Sequence, residues 1–89
     1  MIRRRYVFTG KVQHVGFRWR AQKAAALFSC TGWCRNEQDG SVTMEIQGGR
    51  IRILLVILAI RASQRIRIRR INAVRMDPVP EEREFRAEY

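Results

Sequence analysis

The 89-residue sequence has little cysteine, a single histidine and no long apolar run. Cys30 and Cys34 are distant from His14, so these three residues do not form a zinc-binding set. We expect two reduced, partly buried thiols, the alternative being a bridge that closes a very small loop. The longest apolar run, residues 53–60, has eight residues, whereas a membrane span takes about 20. The arginines at 3–5 lead into alternating residues rather than a signal-peptide core. These shortages predict a cytoplasmic protein without a membrane partner.

Acidic residues are also scarce, and the shortage is uneven along the chain. There are 18 Lys and Arg against 8 Asp and Glu, a net charge of +10. Residues 50–76 contain eight arginines and no acid, while residues 77–89 hold five acids and two arginines. Such a balance fits nucleic acid, an anionic membrane or an anionic small substrate as partner. A nucleic-acid-binding module is therefore one alternative, although no K/R-G-F/Y-G/A-F pattern is present.

The apolar content is ordinary for a globular protein. Hydrophobic residues make up 46% of the chain and aromatic residues 9%. This composition argues against bulk disorder despite the net charge. A chain of this length supports one core, so residues 1–89 are expected to form a single domain.

The first half of the chain predicts a strand, a helix and a hairpin. Residues 4–11 are rich in β-branched and aromatic residues, which favours a strand. From Phe17 the apolar residues recur at helical spacing, and Gly32 is expected to end that helix. Two alternating segments then flank Asp39-Gly40, a strong signal for a tight turn between antiparallel strands.

The second half predicts a helix over residues 50–62, a strand over 65–76 and a short strand over 84–89, although alternation alone would also fit a strand at 50–53. The element order is that of a ferredoxin-like split βαβ sandwich (βαββαβ), an α+β fold. Its antiparallel sheet carries two helices on one face.

The loop between the first strand and the first helix has the composition of an anion site. Gly16 allows close approach of the backbone, and amides at a helix N-terminus attract negative charge. Arg18, at the start of the helix, adds a planar fork of donors that suits phosphate oxygens. Loop amides and one arginine can bind phosphate without a metal.

Two stretches of sequence resemble the signatures of the acylphosphatase family. Residues 10–18 read G-x-V-Q-x-V-G-F-R, and residues 32–40 read G-W-x-R-N-x-x-D-G. The resemblance is strong over residues 4–48 and weaker, though consistent in element order, beyond them. It implies hydrolysis of an acyl phosphate to a carboxylate and inorganic phosphate, which is also an inhibitor, with no metal and no cofactor.

The resemblance also implies roles for individual residues. Arg18 matches the arginine that binds the substrate phosphate, and Asn36 matches the asparagine that orients the attacking water. The phosphate-binding loop corresponds to the amides of Val15, Gly16, Phe17 and Arg18. His14 stands where the family usually has glycine, which would strain the backbone if that position needs a positive φ.

Three aromatic residues lie within the two motifs or next to them. We expect Phe17 and Trp33 in the core. Trp19 is expected to be a rim or packing residue, the alternative being a platform for the substrate.

The second predicted helix carries more apolar residues than one sheet can cover. One stripe is expected to pack on the sheet: Ile51, Leu54, Leu55, Leu58 and Ala62. A second stripe would then remain exposed: Ile53, Val56, Ile57 and Ile60. Exposed apolar surface of this kind indicates an interface, so we expect a homo-oligomer formed through residues 50–62. A self-assembling scaffold with a redesigned second helix is the further alternative to an enzyme.

Overall fold

The computed structural model describes residues 1–88, which form two helices and five strands. In chain order these are β1 (Ile2–Lys11), α1 (Phe17–Leu27), β2 (Thr31–Asn36), β3 (Val42–Gly48), α2 (Arg50–Arg61), β4 (Arg67–Met76) and β5 (Phe85–Glu88). This is the predicted order, with the last strand short. The predicted end of that strand at residue 89 lies outside the described residues.

The strands form one sheet in the order β4-β1-β3-β2-β5. Three neighbouring pairs are antiparallel, and β5 lies parallel to β2, with Gly32 opposite Phe85. The ferredoxin-like α+β fold is confirmed, but the five-stranded sheet is mixed rather than purely antiparallel. β5 becomes an edge strand beside the strand that ends at Asn36.

One core lies between the helices and one face of the sheet. Tyr6 and Phe8 of β1 face the core beside Met44 and Val42 of β3, their partners across the two strands. Alternate positions of these strands point to the opposite, helix-free face, as the pleat of a strand requires. Residues of both helices complete the core: Phe17, Ala21, Ala24 and Ala25 from α1, and Ile53, Val56 and Ile60 from α2.

Gly32 does not end the first helix, contrary to the prediction. The helix ends at Leu27, and Gly32 lies within β2 at φ 144°. A Cβ at this position would lie 1.9 Å from the backbone oxygen of Glu45 on β3, so only glycine fits. The glycine is required by close strand pairing rather than by helix termination.

The sheet covers the opposite stripe of α2 from the one predicted. Ile53, Val56 and Ile60 are buried and Ile57 is partly buried. The stripe expected on the sheet is exposed: Ile51, Leu54, Leu55, Leu58 and Ala62. At 100° per residue the two stripes lie on opposite sides of the helix, with arginines between them. Periodicity therefore identifies two apolar faces without showing which one the sheet covers.

Trp33 is only half-buried and does not belong to the core, contrary to the prediction. It pairs with Glu45 on the helix-free face of the sheet, and the Arg35 guanidinium lies 5.0 Å from its ring centroid. Phe17 is buried as expected, and both cysteines are buried free thiols. Within residues 1–88, neither helix is both long and apolar enough to cross a membrane.

Candidate active site

The loop from β1 to α1 is anchored by apolar side chains and strained at one residue. Val12 and Val15 are buried in the core and tie both ends of the loop to it. Between them His14 adopts φ 61°, and Gly16 follows at φ 79°. Left-handed conformation costs a non-glycine residue about 1 kcal/mol or more, which glycine avoids. The positive φ that would strain His14 is therefore present.

The loop ends at an N-terminus of α1 that lacks a side-chain cap. Gly16 is the N-cap, no side chain caps it, and the first turn contains no acidic residue. The first intrahelical bond at this end is donated by the Arg20 amide to the Gly16 carbonyl, 3.0 Å away. The amides of Phe17, Arg18 and Trp19 thus have no intrahelical acceptor, and the helix dipole adds positive potential there. Such an end binds anions.

Arg18 is oriented by the last strand. Its Nη1 donates a hydrogen bond to the carbonyl oxygen of Glu88, 2.8 Å away. Sequence distance hides this contact, because the two residues are 70 positions apart. The bond fixes the guanidinium beside the start of α1, where a planar fork of donors suits an oxyanion.

Asn36 reaches the same place from the end of β2. It pairs with Val42 across the hairpin and lines a cleft of about 160 Å³. That volume is below the roughly 300–1,000 Å³ of pockets for drug-sized ligands, so the cleft suits a small polar group. Its lining brings together the loop, the first turn and the hairpin: Val12, His14, Gly16, Phe17, Arg18, Trp19 and Asn36.

Cys34 lies behind this cleft without the properties of a nucleophile. Its side chain is fully buried, and burial raises the pKa of the thiol to about 12, although the positive charge of Arg18 opposes the shift. The thiolate is the reactive form of cysteine, and it is not populated at neutral pH with such a pKa. Among the described residues, no cysteine lines the cleft.

Gln13 fastens the loop to the hairpin, a role that sequence reasoning missed. Its Nε2 donates to the carbonyl oxygens of Glu37 at 2.7 Å and Ser41 at 2.9 Å. The Ser41 amide and hydroxyl in turn donate to Asp39 Oδ1 at 2.9 and 2.6 Å. These contacts set the distance between the loop and the strand end that carries Asn36. The first motif specifies a glutamine at this position, and this was the feature of the sequence that could have indicated the role.

Most of the predicted site residues meet in the cleft. Arg18, Asn36, Gly16 and Phe17 line it. Val15 does not, because its side chain is buried in the core, so only its backbone is available to a ligand. Trp19 is 63% exposed at the rim, as expected. Residues 1–88 contain no group of three His, Cys, Asp or Glu side chains that could hold a metal ion.

The fold and the cleft define a class of protein: a split βαβ domain with a small cleft at the loop between its first strand and its uncapped first helix. A family model described as Acylphosphatase matches residues 4–87. An acylphosphatase of Geobacillus thermodenitrificans is 36% identical over 84 residues, which are 93% of this chain and 89% of that protein. An acylphosphatase of Clostridium beijerinckii is 48% identical over 48 residues, 54% of this chain and 53% of that protein.

Solved structures agree with the sequence matches. The crystal structure of an acylphosphatase from Bacillus subtilis is 26% identical, with a TM-score of 0.90 and complete coverage of both chains. The chain belongs to the acylphosphatase family. The family, the fold class and the enzyme class expected from the sequence are thereby confirmed.

Proposed function

We propose that this chain hydrolyses acyl phosphates to a carboxylate and inorganic phosphate without a metal ion. The Arg18 guanidinium and the amides of residues 15–18 hold the phosphate group, and Asn36 orients the attacking water. One observation carries this division of roles. Arg18 and Asn36 line a single small cleft at an uncapped, acid-free helix N-terminus.

The proposed chemistry needs positioning and charge stabilisation only. The water oxygen attacks phosphorus, the bond between phosphorus and the acyl oxygen breaks, and its electron pair leaves with the carboxylate. A carboxylate is a weak base, so it departs without a general acid, and the water proton passes to the phosphate product or to solvent. The Asn36 side-chain oxygen accepts a hydrogen bond from the water and aligns it. Arg18 and the amides stabilise charge on the equatorial oxygens.

Hydrolysis of benzoyl phosphate tests this function. We expect turnover that EDTA does not change and that inorganic phosphate inhibits competitively. A phosphate monoester, whose leaving group is a far stronger base, serves as the control substrate and should not be hydrolysed at a comparable rate. Loss of turnover on chelation would contradict the metal-free mechanism. Absence of turnover in a folded, phosphate-binding protein would contradict the proposed hydrolysis of acyl phosphates.

We also propose that the chain forms a homo-oligomer through residues 50–62. The contact surface is the stripe of α2 that the sheet leaves exposed, not the stripe expected from the sequence. Ile51, Leu54, Leu55 and Leu58 are 66%, 51%, 37% and 52% exposed. One helix face can pair with its own copy about a twofold axis. Burying these side chains contributes roughly 1 kcal/mol each before association costs.

Exposed acidic residues of a second copy supply the negative charge that this surface lacks. Arg50 and Arg61 flank the exposed stripe, and α2 carries no acid to face them. Glu81 and Glu84 are exposed, whereas Glu82 is already bonded to Arg3 of its own chain and is not a candidate. A second copy of the chain is therefore the proposed occupant.

The remaining partners and the location are part of the same proposal. Contact with nucleic acid is expected to be non-specific, since on the helix-free face Arg3 and Arg5 bond Glu45 and Arg35 bonds Glu37. A cytoplasmic location and a single domain over residues 1–89 also stay predictions.

A further inference from the structure

A second basic cavity lies at the end of the sheet opposite the candidate active site. It has a volume of about 360 Å³ and is bounded by the start of β1, the end of β4 and the start of α2. β1 begins beside this cavity and runs into the phosphate loop at its other end. A ten-residue strand spans roughly 30 Å, so one ligand does not reach both places. The cavity is independent of the proposed acyl phosphate site.

Three of the four arginines that line this cavity have no ion-pair partner among residues 1–88. Arg4 on β1 and Arg75 on β4 are direct cross-strand partners and share a face of the sheet, and Arg50 reaches the cavity from α2. Like charges placed opposite each other destabilise a strand pair. Among the described residues, none of the three makes a side-chain hydrogen bond or an ion pair in the free chain. Asp77 is the one carboxylate on the lining, and within residues 1–88 it forms no ion pair either.

The other charged residue of the lining is neutralised, and the helix adds to the positive field. Arg3 bonds both Glu45 and Glu82 and is nearly fully buried. Gly49 caps α2 without a side-chain bond, and the first turn contains no acid. The Ile53 amide donates to the Gly49 carbonyl at 3.0 Å, so the amides of residues 50–52 have no intrahelical acceptor. This helix end supports the arginine cluster and does not make the site alone.

We propose that Arg4, Arg50 and Arg75 bind a small polyanion of the oligophosphate class. Three guanidinium groups match two or more negative charges, and each can hold phosphate oxygens with two parallel hydrogen bonds. The volume falls in the range of small-ligand pockets. One concave cavity lined by three such arginines fits a compact anion better than the extended backbone of a nucleic acid. The lining also has an apolar side, which limits the anion to the arginine side. This apolar side consists of Ile2, Met76 and Pro78.

Calorimetric titration with inorganic tripolyphosphate tests the site. Each protein carries Arg18→Ala as well, so that the candidate active site does not contribute. We expect Arg75→Gln and Arg50→Gln to weaken binding at least tenfold. Arg65→Gln is the matched control, since Arg65 is exposed, outside the cavity, and its loss changes the net charge equally. That control should bind within twofold of its parent.

Three results would overturn the proposal. Complete loss of tripolyphosphate binding on Arg18→Ala alone would place the anion in the candidate active site only. Equal weakening by Arg65→Gln and Arg75→Gln would show a diffuse field rather than a site. A single-stranded oligonucleotide that binds more tightly than tripolyphosphate, with the same response to all variants, would indicate a nucleic-acid surface. Benzoyl phosphate turnover of Arg75→Gln with Arg18 intact confirms that this variant folds, and we expect it unchanged.

Discussion

At the scale of single residues, His14 and Gly16 determine the backbone conformation of the loop beside the cleft. Both adopt positive φ, at 61° and 79°, and only glycine does so without strain. The resemblance of residues 10–18 to a known motif predicted the loop, the place of Arg18 and the effect of His14. Each of these depends on neighbours in the sequence. The motif could not show the contact between Arg18 and Glu88, because that contact depends on how β5 joins the sheet.

Gln13 gives the first prediction at this scale. Gln13→Leu removes a donor from the carbonyls of Glu37 and Ser41, which lie 24 and 28 positions along the chain. Both carbonyls keep a backbone donor, the Gly40 amide for Glu37 and the Glu37 amide for Ser41, so losing the two side-chain bonds costs about 0.5–1.5 kcal/mol per bond. The loop and Asn36 then lose their fixed separation, so kcat should fall roughly tenfold or more. Urea unfolding and benzoyl phosphate kinetics measure the two effects.

Gln22→Leu is the control for Gln13, because Gln22 is exposed on α1 and its side chain makes no hydrogen bond among the described residues. It should change neither the free energy of unfolding by more than about 0.5 kcal/mol nor the turnover. Wild-type kcat in Gln13→Leu would show that the two bonds do not position the site.

At the scale of elements, α2 is where sequence reasoning failed for a physical reason. Its two apolar stripes are nearly equal in size and lie on opposite sides of the helix, separated by arginines. Local periodicity therefore predicts a helix and leaves its rotation about the axis undetermined. Packing against α1 and β3 decides that the stripe with Ile53, Val56 and Ile60 is buried.

The exposed stripe gives the second prediction. Leu54→Glu with Leu58→Glu should convert an oligomer at micromolar concentration into a monomer, because it places charge at the centre of the proposed interface. The fold should persist, since both side chains are about half exposed. Sedimentation velocity measures the state of association, and circular dichroism checks the fold.

Arg52→Glu is the control for this pair, because Arg52 is exposed between the two stripes. It should leave the association unchanged or nearly so. A wild-type monomer under these conditions, or an oligomer that keeps its size in the double variant, would exclude this interface.

At the scale of the whole molecule, one buried ion network joins the ends of the chain. Arg3 bonds Glu45 and Glu82, which lie 42 and 79 positions away, and Arg5 also bonds Glu45. No local pattern in the sequence predicts pairing over such distances. The same holds for the parallel pairing of β5, while element order and element type followed from local signals.

Because of this network, the free energy of unfolding should decrease at acidic pH, which is the third prediction. Burial raises the pKa of Glu45, but hydrogen bonds from Arg5 and Arg3 outweigh it and hold that pKa below the ordinary 4.5. The stability from this ionised carboxylate is complete above pH 4.5 and is lost as pH falls through the lower pKa of the folded state. The free energy of unfolding of the wild-type protein should therefore fall steeply below pH 4.5.

Glu45→Gln should remove part of this acid dependence and lower the free energy of unfolding near neutral pH by roughly 3 kcal/mol, since it breaks a buried pair. Glu37→Gln, which breaks the exposed pair with Arg35, is the control and should cost less than about 1 kcal/mol. Urea unfolding at neutral and acidic pH measures both. Equal costs for the two variants would contradict a special role for the buried network.

The division of roles between Arg18 and Asn36 is the central claim, and one assay tests it most directly. Benzoyl phosphate turnover and inhibition by inorganic phosphate are measured together for Arg18→Ala, Arg18→Lys and Asn36→Ala. Arg18→Ala should lose most turnover and phosphate inhibition together, and lysine should restore little because it lacks the planar fork. Asn36→Ala should lower kcat at least a hundredfold while phosphate inhibits as in wild type, because water is oriented only on the way to the transition state. Near-normal turnover in Arg18→Ala, or loss of phosphate inhibition in Asn36→Ala, would contradict the account.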